Sequence, residues 1–278
     1  MSYYSQLEAG CQIEELSSSI EKEKLQILTY ADYINWLQKQ DMQAADDYWK
    51  DLLLHYSQVS EIKPACIPDD TEDKVSKVDC SLSEETTKKL CTVARSGGFT
   101  VSNIIEAVLG VLLQRYNRSQ DSVFGKVVSG RDNGLRGIEN AVGLFINTIP
   151  VRVKSDTTST WREISDLVKS QALNSTNYDF YSLSQIQKHS SVGNSLIQVL
   201  YVFENYYIDK EELSGSMHEF GKHLIVDVCE TREKTNYPLT IVASMGDKLH
   251  IEISYDTKIY AKREVEYILT RFTSFICN

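Results

Sequence analysis

The spacing of apolar and polar positions sorts most of this chain into helices and strands. From Tyr30 to about His55, the side chains Tyr33, Ile34, Leu37, Ala44, Ala45, Tyr48, Leu52 and Leu53 recur at helical intervals. That predicts one long amphipathic helix behind Thr29 as N-cap. Upstream, residues 2–9 read as the end of a helix stopped by Gly10, and residues 11–28 as a polar connector. Alternation over Val75–Leu82 predicts a strand, and Ser83 then opens a helix with Glu84 and Glu85 in its first turn, where the helix dipole favours negative charge. Beyond Thr100, the residues Val101, Ile104, Ile105, Val108, Leu109, Val111, Leu112 and Leu113 cover nearly every direction, and Glu106 is the only charge among them. A helix apolar all round has to be enclosed.

Two strands are predicted next, Ser122–Ser129 and Gly143–Val153, on either side of a Gly-rich charged loop over Arg131–Asn140. Pro150 cannot donate to a ladder, so the second strand is expected to leave the sheet interior there. Helices over 160–174 and 181–188, strands at Ser195–Phe203, Leu224–Cys229, Leu239–Ala243 and Leu249–Tyr255, and a final helix over Tyr260–Phe275 complete the pattern. The segment 57–73, with Pro64, Pro68 and the acidic group Asp69, Asp70, Glu72 and Asp73, reads as a solvated loop. Strands alternating with helices, followed by antiparallel-looking strands, indicate an α/β fold with a mixed sheet layered by helices.

Composition narrows the function. A hydrophobic fraction of 42% supports a real core, and a formal charge of −10 without a basic cluster argues against nucleic acid as a partner. No apolar run approaches the roughly 18–20 residues of a membrane span, and the N-terminus lacks the pattern of a secretory signal. The six cysteines are scattered, and the five histidines do not combine with them at zinc-type spacing; His218 and His223, flanking Glu219, are only weak metal evidence. No metal site is expected, and the expected compartment is cytoplasmic, with free thiols. Gly-x-Ser-x-Gly, Gly-x-Gly-x-x-Gly and phosphate-loop patterns are all absent.

The most informative stretch is residues 141–153, AVGLFINTIPVRV, a near-continuous apolar run of the kind that forms strands buried on both faces. Asn147 at its centre needs its amide paired, so it either locks core elements together or faces a polar channel.

This run resembles the fifth core motif of the condensation domains of nonribosomal peptide synthetases. Residues 30–36 (YADYINW) resemble the fourth, residues 177–183 (NYDFYSL) the sixth, and residues 231–239 (TREKTNYPL) the seventh. The His-His-x-x-x-Asp-Gly segment that carries the family's catalytic histidine has no counterpart, because the sequence contains no His-His and no Asp-Gly pair. The resemblance therefore implies the C-terminal half of such a domain, one subdomain of a chloramphenicol-acetyltransferase-like fold, over residues 29–278. Residues 1–28 would then be a remnant helix and connector, and about 129–142 a crossover loop flooring the tunnel between the two halves.

The same resemblance implies an amide-forming acyl transfer in which a carrier-bound aminoacyl amine attacks a carrier-bound thioester. It implies no directly bound cofactor, only a phosphopantetheine arm delivered by a peptidyl or acyl carrier protein. The N-terminal half of the domain would be the other partner, and the chain would be inactive alone. No catalytic residue is carried over. The residues expected to border the tunnel are Ser129, Gly130, Arg131, Gly143, Phe145 and Asn147, the last three sharing a strand face by the two-residue period. Either that face borders the channel, or it is core and Asn147 braces the crossover. Arg131 could clamp a carboxylate in the missing half or be solvated. Two other readings are a non-catalytic module that binds a carrier or self-associates through its exposed inter-half face, and a stand-alone acyltransferase.

Overall fold

A computed structural model describes residues 6–7, 10–24, 27–68, 74–132, 134–204 and 235–277. The strand expected at Leu224–Cys229, together with His218 and His223, lies outside them. The chain divides into two compact units, the smaller formed by residues 1–39, 135–144 and 206–233, and the larger by the remainder.

Among the described residues, the smaller unit contains helices α1 (Ile13–Lys24) and α2 (Tyr30–Leu37) and a 3-10 turn at Ile138–Asn140. The existence of α1 corrects the expectation of a connector over 11–28. Its apolar residues Ile13, Leu16 and Ile20 are diluted by polar ones, and of these three only Leu16 is buried. Helix α2 opens with a reciprocal capping box: Thr29 Oγ1 accepts from the Asp32 amide, and the Asp32 carboxylate accepts from the Thr29 amide at 2.9 Å. Tyr30, Tyr33 and Trp36 then form a run of ring contacts along its face.

In the larger unit, helix α3 (Met42–Leu53) starts at Asp41, whose side chain accepts from the Ala44 amide. This second N-cap is why the expected single helix over residues 30–55 is two. Next come β1 (Val75–Ser81), α4 (Glu84–Gly97), α5 (Val101–Asn117), β2 (Asp121–Val128), β3 (Asn147–Lys154), α6 (Trp161–Ser175), α7 (Leu183–Lys188) and β4 (Val199–Glu204). Strands β5 (Leu239–Met245) and β6 (Leu249–Asp256) and helix α8 (Lys262–Cys277) follow. The sheet order is β1-β6-β5-β4-β2-β3, with β2, β4 and β5 mutually parallel and the other pairs antiparallel. It is the mixed, helix-layered α/β sheet that the pattern implied.

Helix α5 is the enclosed helix, with Ile105, Leu109, Leu112 and Leu113 fully buried in the main core beside Phe124, Tyr201, Ile241 and Phe272. A second cluster joins Trp49 and Leu53 of α3 to Ile186 of α7, Val123 of β2 and Ile149 of β3. The described part of the 57–73 segment is not a solvated loop. Ser60 and Ile62 are buried, Ser60 Oγ accepts from the Val123 amide, and the Ile62 carbonyl accepts from Tyr260 Oη. Ionic packing closes the α3 end: the Arg152 guanidinium binds the Asp121 carboxylate and donates to the carbonyls of Leu52 and Leu54.

Strand β3 is the sheet edge among the described strands, and Pro150 sits within it opposite Gly125. The expected departure at Pro150 therefore does not occur, because a proline on an edge strand can turn its missing donor away from the ladder. Its neighbours on the same side are also occupied. The Thr148 amide donates to Asn147 Oδ1, and Gln171 of α6 both accepts from the Arg152 amide and donates to the Arg152 carbonyl.

Candidate functional site

The segment joining β2 to β3 begins at Ser129, where two short bonds fold the chain back. Ser129 Oγ donates to the Asp132 carboxylate at 3.1 Å and accepts from the Arg131 amide at 3.2 Å. Gly130 follows at φ +66°, a left-handed conformation that costs a residue with a Cβ. A Cβ there would also collide with the Phe145 carbonyl, so two backbones meet at closest approach. The Arg131 guanidinium lies 4.4 Å from the centroid of the buried Phe145 ring, a cation–π contact.

Because β2 ends at Val128 and the chain turns at Gly130, the first residue of β3 with a strand partner is Asn147, paired with Val128. This corrects the expectation of a strand from Gly143 buried on both faces. Residues 141–146 are not strand, and Val142, Leu144 and Ile146 are 89%, 74% and 64% exposed. Gly143, Phe145 and Asn147 therefore do not share a strand face. Gly143 belongs to the smaller unit, where the Tyr30 ring lies so close that a Cβ would clash with it. Tyr30 Oη also donates to the Leu144 carbonyl at 3.2 Å. The fourth and fifth motif segments thus touch through Tyr30.

Asn147 uses its whole carboxamide within the protein. Nδ2 donates to the carbonyls of Asp179 at 2.7 Å and Tyr181 at 2.8 Å, and Oδ1 accepts from the Thr148 amide. The fifth motif is thereby fastened to the sixth. Tyr181 carries the connection onward, its hydroxyl donating to Asp46 Oδ1 of α3 at 2.5 Å, where His189 Nε2 also lies at 2.7 Å. Those two bonds hold the Asp46 carboxyl below the usual range. Trp49 Nε1 donates to the Tyr178 carbonyl, and Tyr48 stacks on Tyr178.

Next to this brace is a buried charge cluster. Lys126 Nζ pairs with Glu106 Oε1 of α5 at 2.8 Å, and Ser102 Oγ donates to the same oxygen at 2.7 Å. Glu106 is fully buried. Burial pushes the Asp179 carboxyl up to about 7, against the opposing pull of Lys126 and a Ser175 hydrogen bond. Asp179 and Tyr181 were legible as part of a motif, and Glu106 as a lone charge on an apolar helix. Lys126 carried no sequence signal. Among the described residues no group of three metal-ligating side chains comes together.

The family model for the condensation domain matches residues 4–278. The chain belongs to the condensation-domain family. Among curated proteins it is 35% identical over 237 residues to bacitracin synthase 3 of Bacillus licheniformis, covering 85% of this chain and 4% of that protein. It is also 34% identical over 238 residues to tyrocidine synthase 2 of Brevibacillus parabrevis, covering 85% of this chain and 7% of that one. The chain thus spans less than a tenth of the length of either relative. Among solved structures, it superposes at a TM-score of 0.73 on the complex of the X-domain and OxyB from teicoplanin biosynthesis (18% identity, 90% of this chain, 57% of that one). A four-domain nonribosomal peptide synthetase bound to AMP and glycine gives 0.67 (19% identity, 86% of this chain, 20% of that one). The fold is the chloramphenicol-acetyltransferase-like fold of condensation domains.

Proposed function

We propose that this condensation-domain chain is the C-terminal subdomain, with residues 129–142 as its crossover, and forms one wall of a cleft for amide-bond synthesis. A carrier-bound amine would attack a carrier-bound acyl or peptidyl thioester there, each substrate arriving on a phosphopantetheine arm. That chemistry needs a free amine, a destination for its proton and donors near the developing oxyanion. The observation that carries the reading is a family match over residues 4–278 in a sequence with no His-His pair. The proton-handling histidine would come from the N-terminal half as partner, in a cytoplasmic enzyme, and this chain alone would be inactive.

Of the wall residues, Gly130, Phe145 and Arg131 shape the start of the crossover. Asn147 is read as its brace, since both amide hydrogens are committed to carbonyls of the protein. The test is a peptide-bond assay with carrier-loaded substrates. The chain alone should give no product, and addition of a separately produced His-His-bearing half should restore it. Full turnover by the chain alone would refute the subdomain reading.

The exposed Val142 and Leu144 favour a second reading, a module that self-associates or docks a carrier without catalysis. Light scattering that finds a monomer at high concentration, with no carrier binding, would dispose of it.

A further inference from the structure

Helices α4, α5 and α6 and the end of α8 border a cavity of about 440 Å³, a size within the range of small-molecule pockets. Leu90, Ile104, Val108, Trp161 and Phe275 give it an apolar lining. Leu90 and Val108 are buried, whereas Trp161 is 42% exposed and meets the Phe275 ring edge-on at 6.2 Å. None of the lining residues belongs to the crossover or to the Asn147 brace, so the cavity is separate from the residues assigned to the amide-forming wall.

Its charged groups are all of one sign. Lys89 and Arg162 line it, and among the described residues that do so there is no carboxylate, in a chain whose formal charge is −10. Lys89 is already engaged, its Nζ lying 2.7 Å from Glu85 Oε1. The Arg162 guanidinium instead lies 5.8 Å from the centroid of the Phe99 ring, and Lys169 Nζ is at the same distance from that ring. Neither of these two cations has an ion-pair partner among the described residues. The neighbouring Glu163 is taken up by Thr160 in the capping box of α6. Two cations therefore share one aromatic ring at the cavity wall without a counter-charge.

Ser165 is an independent sign of a missing acceptor. It is 5% exposed, lines the cavity and follows Arg162 by three residues, which puts both on one face of α6. Hydroxyls inside helices commonly settle on the carbonyl four residues back, as Thr92 and Thr270 do here. Ser165 Oγ has no hydrogen-bond partner among the described residues. A buried hydroxyl left unpaired costs free energy, which an incoming acceptor would recover. A carboxylate matches both groups, one oxygen accepting from Ser165 and the other from the guanidinium. With Lys89 paired, Arg162 is the free cation lining the cavity among the described residues, which suits a head of one charge. An ammonium head would meet only like charges.

We propose that this cavity binds a monocarboxylate with an apolar tail. The head is held by Arg162 and Ser165, and the tail lies against Leu90, Ile104, Val108 and Phe275.

The probe is octanoate, kept below the concentration at which it forms micelles, with octan-1-ol as the neutral control. Each is added to the full chain while tryptophan emission is followed. Octanoate should shift the emission saturably, and the shift should vanish in Trp161→Phe, which leaves Trp36 and Trp49 in place. Octan-1-ol should bind at least about tenfold more weakly, because it cannot form the charge-assisted bonds. Arg162→Met keeps the apolar stem of the side chain; it should weaken octanoate by a similar factor and leave octan-1-ol unchanged. Val93→Tyr, at a wall position that is 58% exposed, should narrow the mouth and weaken both probes. An amide spectrum of each variant checks that it is folded. No saturable shift, a shift that persists in Trp161→Phe, octan-1-ol bound as tightly as octanoate, or unchanged octanoate affinity in Arg162→Met would overturn the proposal.

Discussion

Replacing Asn147 by alanine tests whether the family's fifth motif holds this fold together. The substitution strips donors from the carbonyls of Asp179 and Tyr181 and an acceptor from the Thr148 amide. Each such bond contributes about 1 kcal/mol net, and a partner left dry costs more. The residue is half-buried, so some loss is recovered by water, and about 2–3 kcal/mol of destabilisation is expected. For a chain of this size that corresponds to a fall in melting temperature on the order of 5–10 °C. Asn147→Asp should be worse, because it turns a carboxylate oxygen toward two carbonyls. Urea denaturation followed by tryptophan fluorescence measures both, with Trp49 bonded to the same 178–181 segment as reporter. A change below about 0.5 kcal/mol in Asn147→Ala would show that the brace is not structural and return the residue to the substrate channel.

Other expectations follow from the same geometry. Gly130→Ala should destabilise by at least about 2 kcal/mol, since it combines left-handed strain with a backbone collision; a wild-type urea midpoint would contradict this. Lys126→Met should cost about 3–5 kcal/mol by leaving Glu106 buried without its cation, and adding Glu106→Gln should recover a large part, as read from a double-mutant cycle. The folded chain keeps a proton on Asp179 up to about pH 7, whereas an unfolded chain releases it near 3.8. Through this group stability falls as pH rises between those values and levels off above, by at most about 1.4 kcal/mol per pH unit. Asp179→Asn should flatten that limb in denaturation curves taken at about pH 5 and pH 7.5. Gly143→Ala should disturb the Tyr30 contact, visible as a changed Tyr30 ring resonance with the sheet intact.

Much of the architecture was legible because periodicity is written in side chains. The enclosed α5, the strands β5 and β6 and the capped start of α4 all followed from spacing. What failed did so where a partner far away in sequence decides. The apolar run at 141–146 looks like strand, but a strand needs a neighbour, and β2 stops at Val128. Asp41 divides a helix that its apolar stripe alone would continue. Helix α1 was hidden because little of it is buried. The site was legible where motifs concentrate, as at Asn147 and the 177–183 segment. Lys126 was not, because a lysine in a strand ordinarily faces water, and only the fold shows that this one meets a buried glutamate.

The treatment of β3 bears on how such a domain behaves in crowded solution. Along its outward side, one amide is taken by its own residue's neighbour, the next position has no N–H, and the third is answered by a glutamine from α6. A foreign strand laid alongside would find no free donors at these three positions to begin a ladder. The margin is therefore sealed against sheet growth by three unrelated devices, and losing Gln171 alone would leave two of them standing.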